Sequence, residues 1–247
     1  MQNIESNLNQ TQAQIDQAAD RYHRQSSDIC LLAVSKRKPA SDIREAYRCG
    51  QKNFGENYLQ EAQQKIQELA DLDICWHFIG AIQSNKTRVI AEYFDWVHCV
   101  DRLKIAQRLS EQRPDHLPPL NICIQVNVDL EESKAGIALE EVPALSQKIN
   151  QLPNIRLRGL MAIPAPSDSV ESQREPFTKL RQAFEQMQNS AIECDTLSIG
   201  MSHDIEAAIA EGSTLVRIGT AIFGERLWIN NFVLSAAATW LAVWLED

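Results

Sequence analysis

Short apolar runs recur along the chain, at 29–35 (ICLLAVS), 52–56 (KNFGE), 75–80 (CWHFIG), 96–100 (WVHCV), 120–128 (LNICIQVNV), 155–163 (IRLRGLMAI), 196–201 (TLSIGM) and 214–219 (TLVRIG). Runs of this length are what strands covered on both faces of a parallel sheet look like. Between them, segments 41–49, 58–70, 84–93, 102–112, 139–151, 171–188 and 204–211 carry apolar residues on one helical face. Regular alternation of strand and helix predicts a parallel sheet with right-handed crossovers. Eight such units favour closure into a single (β/α)8 TIM-type barrel. The other arrangement is an open doubly wound sheet, but the G-x-G-x-x-G turn of a dinucleotide binder does not follow the first run. Ahead of the first strand, Ile4, Leu8, Ile15 and Ala18 or Ala19 sit at helical spacing within 3–24, which predicts an additional N-terminal helix laid across the barrel.

Length agrees with this reading. The chain has 247 residues, and a barrel of this type takes about 250. The expected division is therefore one barrel over 1–226 and an apolar tail over 227–247. A formal net charge of -9 sets the long-range field against nucleic acid and anionic membrane surfaces, while leaving room for a local basic pocket. The six cysteines are scattered without a C-x-x-C pair, as expected of buried thiols in a reducing compartment. With no basic, apolar leader at the N-terminus, a cytoplasmic location is expected.

Barrel chemistry collects at the C-terminal ends of the strands. There the sequence places Lys36, Asn57, Gln83, Asn85, Asn127 and Met161, which should converge on one mouth. Lys36 follows an apolar run and precedes Arg37 and Lys38. Desolvation and like charges both favour a neutral, nucleophilic amine, although a solvated lysine in a basic turn is the plainer alternative. Near the last two strands, SIGMSHD (198–204) and RIGTAIFG (217–224) each run from strand through glycine to a hydroxyl residue, Ser202 or Thr220, before a helix. Glycine lets the backbone approach an anion, and barrels commonly bind phosphate after strands seven and eight. Each motif alone could equally be a helix cap. Arg217, inside the final strand, needs an acceptor, either a structural carboxylate or a ligand ring nitrogen. His77, His98 and His203 show no metal-ligand spacing and are expected in core or capping roles, so no metal site is predicted. Glu131, Glu132 and Lys134 suggest a charged loop over the mouth.

The segments LLAVSKRKP, NFGENYLQEA, WHFIGAIQSNK, VNVDLEESKAGI, RGLMAIP, LSIGMSHDIEAAI and GSTLVRIGTAIFG, in this order, resemble the pyridoxal phosphate homeostasis proteins, stand-alone barrels similar to the N-terminal domain of alanine racemase. The resemblance implies that pyridoxal 5'-phosphate (PLP) is held as a Schiff base on Lys36. It implies that Ser202, Gly219 and Thr220 bind the phosphate, that Arg217 faces the pyridine nitrogen, and that Asn57 and Met201 line the pocket. It also implies binding and delivery of PLP to dependent apoenzymes, in vitamin B6 balance, with no robust turnover. Two departures stand out: His203 occupies a position more often acidic or small, and the tail at 227–247 runs on where relatives stop. The tail's uninterrupted part, 232–245, is shorter than the ~20 residues of a bilayer span, so a packed or interfacial helix is expected there.

Two other functions compete. A PLP-dependent racemase needs a second base on the opposite face of the cofactor, and of Tyr22, Tyr47, Tyr58 and Tyr93 only Tyr58 is near a strand end. A sugar-phosphate barrel enzyme would need a carboxylate at another strand end, for which Asp101 and Asp129 are the candidates. A monomeric PLP carrier is the reading that uses the most motifs.

Overall fold

The computed structural model describes residues 3–131 and 134–225. Its strands are β1 (Cys30–Val34), β2 (Asn53–Glu56), β3 (Cys75–Phe78), β4 (Trp96–Val100), β5 (Leu120–Val126), β6 (Ile155–Ala162), β7 (Thr196–Ser198) and β8 (Leu215–Ile218). They pair in parallel in chain order, and β8 closes onto β1 with Cys30 opposite Leu215 and Ala33 opposite Ile218. The helices are α1 (Ile4–Arg21), α2 (Ala40–Arg48), α3 (Leu59–Glu68), α4 (Thr87–Tyr93), α5 (Leu103–Gln112), α6 (Val142–Ile149), α7 (Val170–Asn189), α8 (Ile205–Ala210) and α9 (Thr220–Phe223). This is the (β/α)8 barrel with its extra N-terminal helix, as the hydrophobic pattern predicts. One apolar cluster joins the two layers, with Ala33, Phe54, Val97, Ile122 and Leu160 from strands packed among Ile43, Ile90, Leu109, Phe177 and Leu180 from helices.

Helix α1 begins where Asn3 Oδ1 accepts the Ser6 amide at 2.8 Å, an ordinary N-cap. It buries Ile4, Leu8, Ile15, Ala18 and Ala19, the residues whose spacing predicted it. Its polar side ties down the end of the barrel: Asn7 Nδ2 donates to the Ile222 carbonyl at 2.8 Å, and Arg21 pairs with Glu206 at 2.6 Å. Helix α1 thus braces α8 and α9, which follow the last two strands.

Several boundaries differ from the sequence pattern. Strand β7 ends at Ser198, three residues early, because Gly200 takes φ +100°, where a Cβ would lie 2.7 Å from Ala208 Cβ. Strand β5 stops at Val126, and α4 starts at Thr87. The tail at 227–247 and Glu132 of the charged loop lie outside the described residues. Among the described residues, no helix is long and apolar enough to cross a membrane.

Candidate cofactor site

At the C-terminal mouth of the barrel lies a cavity of about 480 Å³, within the range of small-molecule sites. Lys36, Asn57, Met201, Ser202, Arg217, Gly219 and Thr220 all line it, together with Met161. Val34, Ile79, Ile163 and Ala221, not singled out from sequence, complete the wall together with His203, which stands in the cavity lining and not in the core or capping role expected of it. Most of these are apolar strand-end or loop residues, indistinguishable in a sequence from core. Gln83 and Asn85 do not join them; both are exposed in the loop after β3. Asn127 is also outside the cavity wall, where its Nδ2 donates to the Glu131 and Lys134 carbonyls and folds the loop after β5. A second cavity of about 360 Å³ between α6 and α7 has no charged side chain in its lining among the described residues.

Lys36 stands in a tight turn closed by the Lys38 amide donating to the Ser35 carbonyl at 3.1 Å. Its two basic neighbours are engaged elsewhere. Arg37 Nη2 donates to Tyr58 Oη at 3.1 Å, and Lys38 Nζ donates to the carbonyls of Phe223 and Glu225 at 2.5 and 2.9 Å. Within the basic tripeptide, one lysine enters the cavity wall, the other ties the turn to the end of α9, and Arg37 stays exposed.

After β7 and β8, the second of which is paired with β1, neither sequence alternative of a helix cap holds. The N-cap residues of α8 and α9 are Asp204 and Gly219, and neither helix has a side-chain cap. Asp204 Oδ1 instead accepts the Met201 amide at 2.5 Å, closing the turn that carries Ser202. Among the described residues, the amides of Ser202, Thr220 and Ala221 and the hydroxyls of Ser202 and Thr220 have no partner. A cluster of unspent donors is what an anion requires. Gly219 packs closely on the end of β1, where a Cβ would lie 3.2 Å from the Val34 carbonyl oxygen.

Among the described residues, no carboxylate is hydrogen-bonded to the buried Arg217. Its Nη2 donates to the Ala162 carbonyl at 2.9 Å, and its Nη1 donates to the Ser198 carbonyl at 2.5 Å and to Ser198 Oγ at 2.9 Å. Burial pulls its pKa down to about 10, opposed by the charge of Asp204, so it stays a cation at neutral pH. Behind it, Ser198 Oγ meets His98 Nδ1 at 2.9 Å, His98 Nε2 meets His77 Nδ1 at 2.9 Å, and His77 Nε2 meets Asn53 Oδ1 at 3.1 Å. Desolvation pushes the His77 pKa down to about 3 and that of His98 well below its ordinary value. These are core histidines, in a connected polar column that periodicity does not reveal.

Asn57 presents a buried Oδ1 with no donor among the described residues. Gly80 backs it closely, because a Cβ there would lie 2.1 Å from the Asn57 carbonyl oxygen. The carboxylates considered for a sugar-phosphate reaction are elsewhere: Asp101 pairs with Arg102 at 2.7 Å and Asp129 with Lys134 at 3.3 Å, and neither lines the cavity. Tyr58 does not line it either. Among the described residues, no group of three or more histidine, cysteine or acidic side chains could hold a metal.

A family model described as alanine racemase, N-terminal domain, matches residues 6–227. A pyridoxal phosphate homeostasis protein of Pseudomonas aeruginosa is 58% identical over 226 residues, covering 92% of this chain and 97% of its own. The chain belongs to the pyridoxal phosphate homeostasis proteins. Another member, from Escherichia coli K12, is 53% identical over 229 residues, covering 92% of this chain and 98% of its own. Among solved structures, PipY of Synechococcus elongatus with PLP bound superposes with a TM-score of 0.79 at 35% identity, covering 90% of this chain and all of PipY. The form without PLP gives 0.81 at 36%, with the same coverage. Alanine racemase of Corynebacterium glutamicum, at 17% identity and TM-score 0.64, shares the fold and extends well beyond it, with 60% of its length covered.

Proposed function

We propose that this protein binds PLP at the barrel mouth, holds it as a Schiff base on Lys36, and delivers it to PLP-dependent apoenzymes. The observation that carries this reading is that Lys36, Asn57, Met201, Ser202, Arg217, Gly219 and Thr220, drawn from strand ends far apart in sequence, line one cavity. Its chemistry suits the cofactor: an amine for the aldehyde, unspent amides and hydroxyls for the phosphate, and a buried cation in the same wall. The names of its relatives and the PLP-bound PipY structure support the same ligand.

In this reading Ser202, Gly219 and Thr220 hold the phosphate. Arg217, kept charged by its permanent basicity and fixed by three acceptor contacts, faces the ring nitrogen and denies it a proton. When bound, PLP supplies an electrophilic carbon to amines, and its strength as an electron sink depends on that ring nitrogen being protonated. A neighbouring cation weakens that sink, which suits storage and release better than turnover. Among the described residues, no tyrosine stands in the cavity wall to serve as a second base. The barrel, taken as 1–226, is the whole of the proposed PLP-binding unit.

Titration of the PLP-free protein with PLP and with unphosphorylated pyridoxal tests the reading. Saturable, near-visible absorbance with PLP, lost in Lys36→Ala, is expected, with markedly weaker binding of pyridoxal. Equal affinity for the two would remove the phosphate site from the proposal.

A further inference from the structure

The turn that aims Lys36 carries an awkward residue. Arg37 takes φ +61°, the left-handed region, at the turn position where glycine is ordinarily favoured. Something outside the turn has to hold it.

That support is an acid–base–acid group on β2 and α3, in which Glu56 and Lys65 are buried and Glu61 is partly exposed. Glu56 is fully buried and Lys65 is 5% exposed. Lys65 Nζ uses all three of its protons, on Glu56 Oε1 at 2.8 Å, Glu61 Oε1 at 2.5 Å and the Ser35 carbonyl at 2.8 Å. Ser35 Oγ donates to Glu56 Oε1 at 2.6 Å, and the Arg37 amide donates to Glu61 Oε1 at 2.5 Å. The residues on either side of Lys36 are thus both bonded to the same acid–base–acid group. None of Glu56, Glu61 and Lys65 lines the cavity.

Stability alone is a poor explanation for this arrangement. Apolar side chains of similar volume would join α3 to the barrel about as well, since desolvating buried ions offsets most of their attraction. What such residues could not supply is a donor and an acceptor directed at the peptide groups on either side of one lysine, with a second acceptor on the Ser35 hydroxyl. Pre-organisation of a reacting group commonly rests on supporting bonds of this kind.

We propose that Glu56, Lys65 and Glu61 are positioning residues that fix the Ser35–Lys38 turn and so set the direction of Lys36 into the cavity. The inference rests on the reading of Lys36 as the PLP-bearing residue. Its consequence is that losing one of these bonds loosens the hold on PLP while the barrel stays folded.

The test compares wild type with Ser35→Ala, Glu61→Ala and Glu61→Gln. Three quantities are read: the PLP dissociation constant, the pH midpoint of the bound-cofactor absorbance, and the melting temperature without PLP. Ser35→Ala removes one hydroxyl and is the variant least able to unfold the protein. Glu61→Gln keeps an oxygen that can accept the Arg37 amide. The expected result is a dissociation constant raised about three- to tenfold in Ser35→Ala and Glu61→Ala, with a displaced pH midpoint and recovery in Glu61→Gln. Unchanged affinity and midpoint in both alanine variants, or a glutamine variant as weak as the alanine one, overturns the proposal. Borohydride reduction of wild type separates the two layers: no adduct on Lys36 defeats the underlying reading as well, whereas an adduct with unaffected variants defeats only the positioning role.

Discussion

Arg217 Nη1 and His98 Nδ1 share one hydroxyl, each lying 2.9 Å from Ser198 Oγ. This relationship fixes the protons along the whole polar column. Asn53 Oδ1 is an acceptor, so His77 Nε2 carries the hydrogen that faces it, and His77 Nδ1 is left to accept from His98 Nε2. His98 Nδ1 must then accept from the Ser198 hydroxyl, whose oxygen in turn accepts from Arg217. Every bond points the same way, from the guanidinium toward Asn53.

Both imidazoles are therefore expected as neutral Nε2–H tautomers with no titration between about pH 8 and 5. Nitrogen-15 NMR of the histidine rings checks this, and a midpoint near the ordinary 6.5 for either ring contradicts it. The linkage sign follows from the depressed values. Below 6.5 the unfolded chain takes up protons that the native rings refuse, until about 3 for His77, so this pair withdraws stability as the pH falls through that window.

The Ser198 hydroxyl is also the link through which Arg217 meets the histidines. Ser198→Ala leaves His98 Nδ1 without a donor and is expected to cost about 1–3 kcal/mol, read from urea unfolding at neutral pH. A change below about 0.5 kcal/mol would mean that the column contributes little.

Gly80 and Asn57 touch across the β2 and β3 ends, where an added Cβ would lie 2.1 Å from the Asn57 carbonyl oxygen. Backbone cannot yield as a flexible side chain can. Gly80→Ala is expected to displace Asn57, destabilise the fold by about 2 kcal/mol or more and weaken PLP binding. Wild-type melting and affinity in that variant would show the contact to be relieved cheaply.

Ser202 and Thr220 donate to nothing among the described residues and cap neither helix. Replacing both, by alanine and valine, should change stability by no more than about 0.5 kcal/mol. Affinity for PLP should nevertheless fall roughly ten- to hundredfold, because hydrogen bonds to a charged group are lost. Binding of pyridoxal should hardly change. A large loss of stability with unchanged PLP affinity would return these residues to a structural role.

How much of this was legible beforehand divides along physical lines. The strands and helices were legible because burial on one or both faces leaves a period in the sequence, and strand ends then nominated Lys36, Asn57 and Met161. Gly200 shows the limit of that signal: the apolar run continues through 201, but a left-handed backbone ends β7 at Ser198. Ser198 itself looked like one more small strand residue, and His77 and His98 like isolated core histidines. Their significance lies in contacts between β3, β4, β7 and β8, which no local pattern encodes. Lys65 was least legible of all, a lysine at 5% exposure on a helix where solvent would be the default. Gln83 and Asn85 show the converse error, strand-end polar residues whose loop leaves the mouth.

The central claim is that Lys36 carries PLP. The most direct measurement is borohydride reduction of the PLP-loaded protein, followed by peptide mapping, with Lys36→Ala treated in parallel. The account predicts a single phosphopyridoxyl group on Lys36 and none in the variant, which should melt close to wild type without PLP. A modified residue other than Lys36, or equal labelling of the variant, would contradict it.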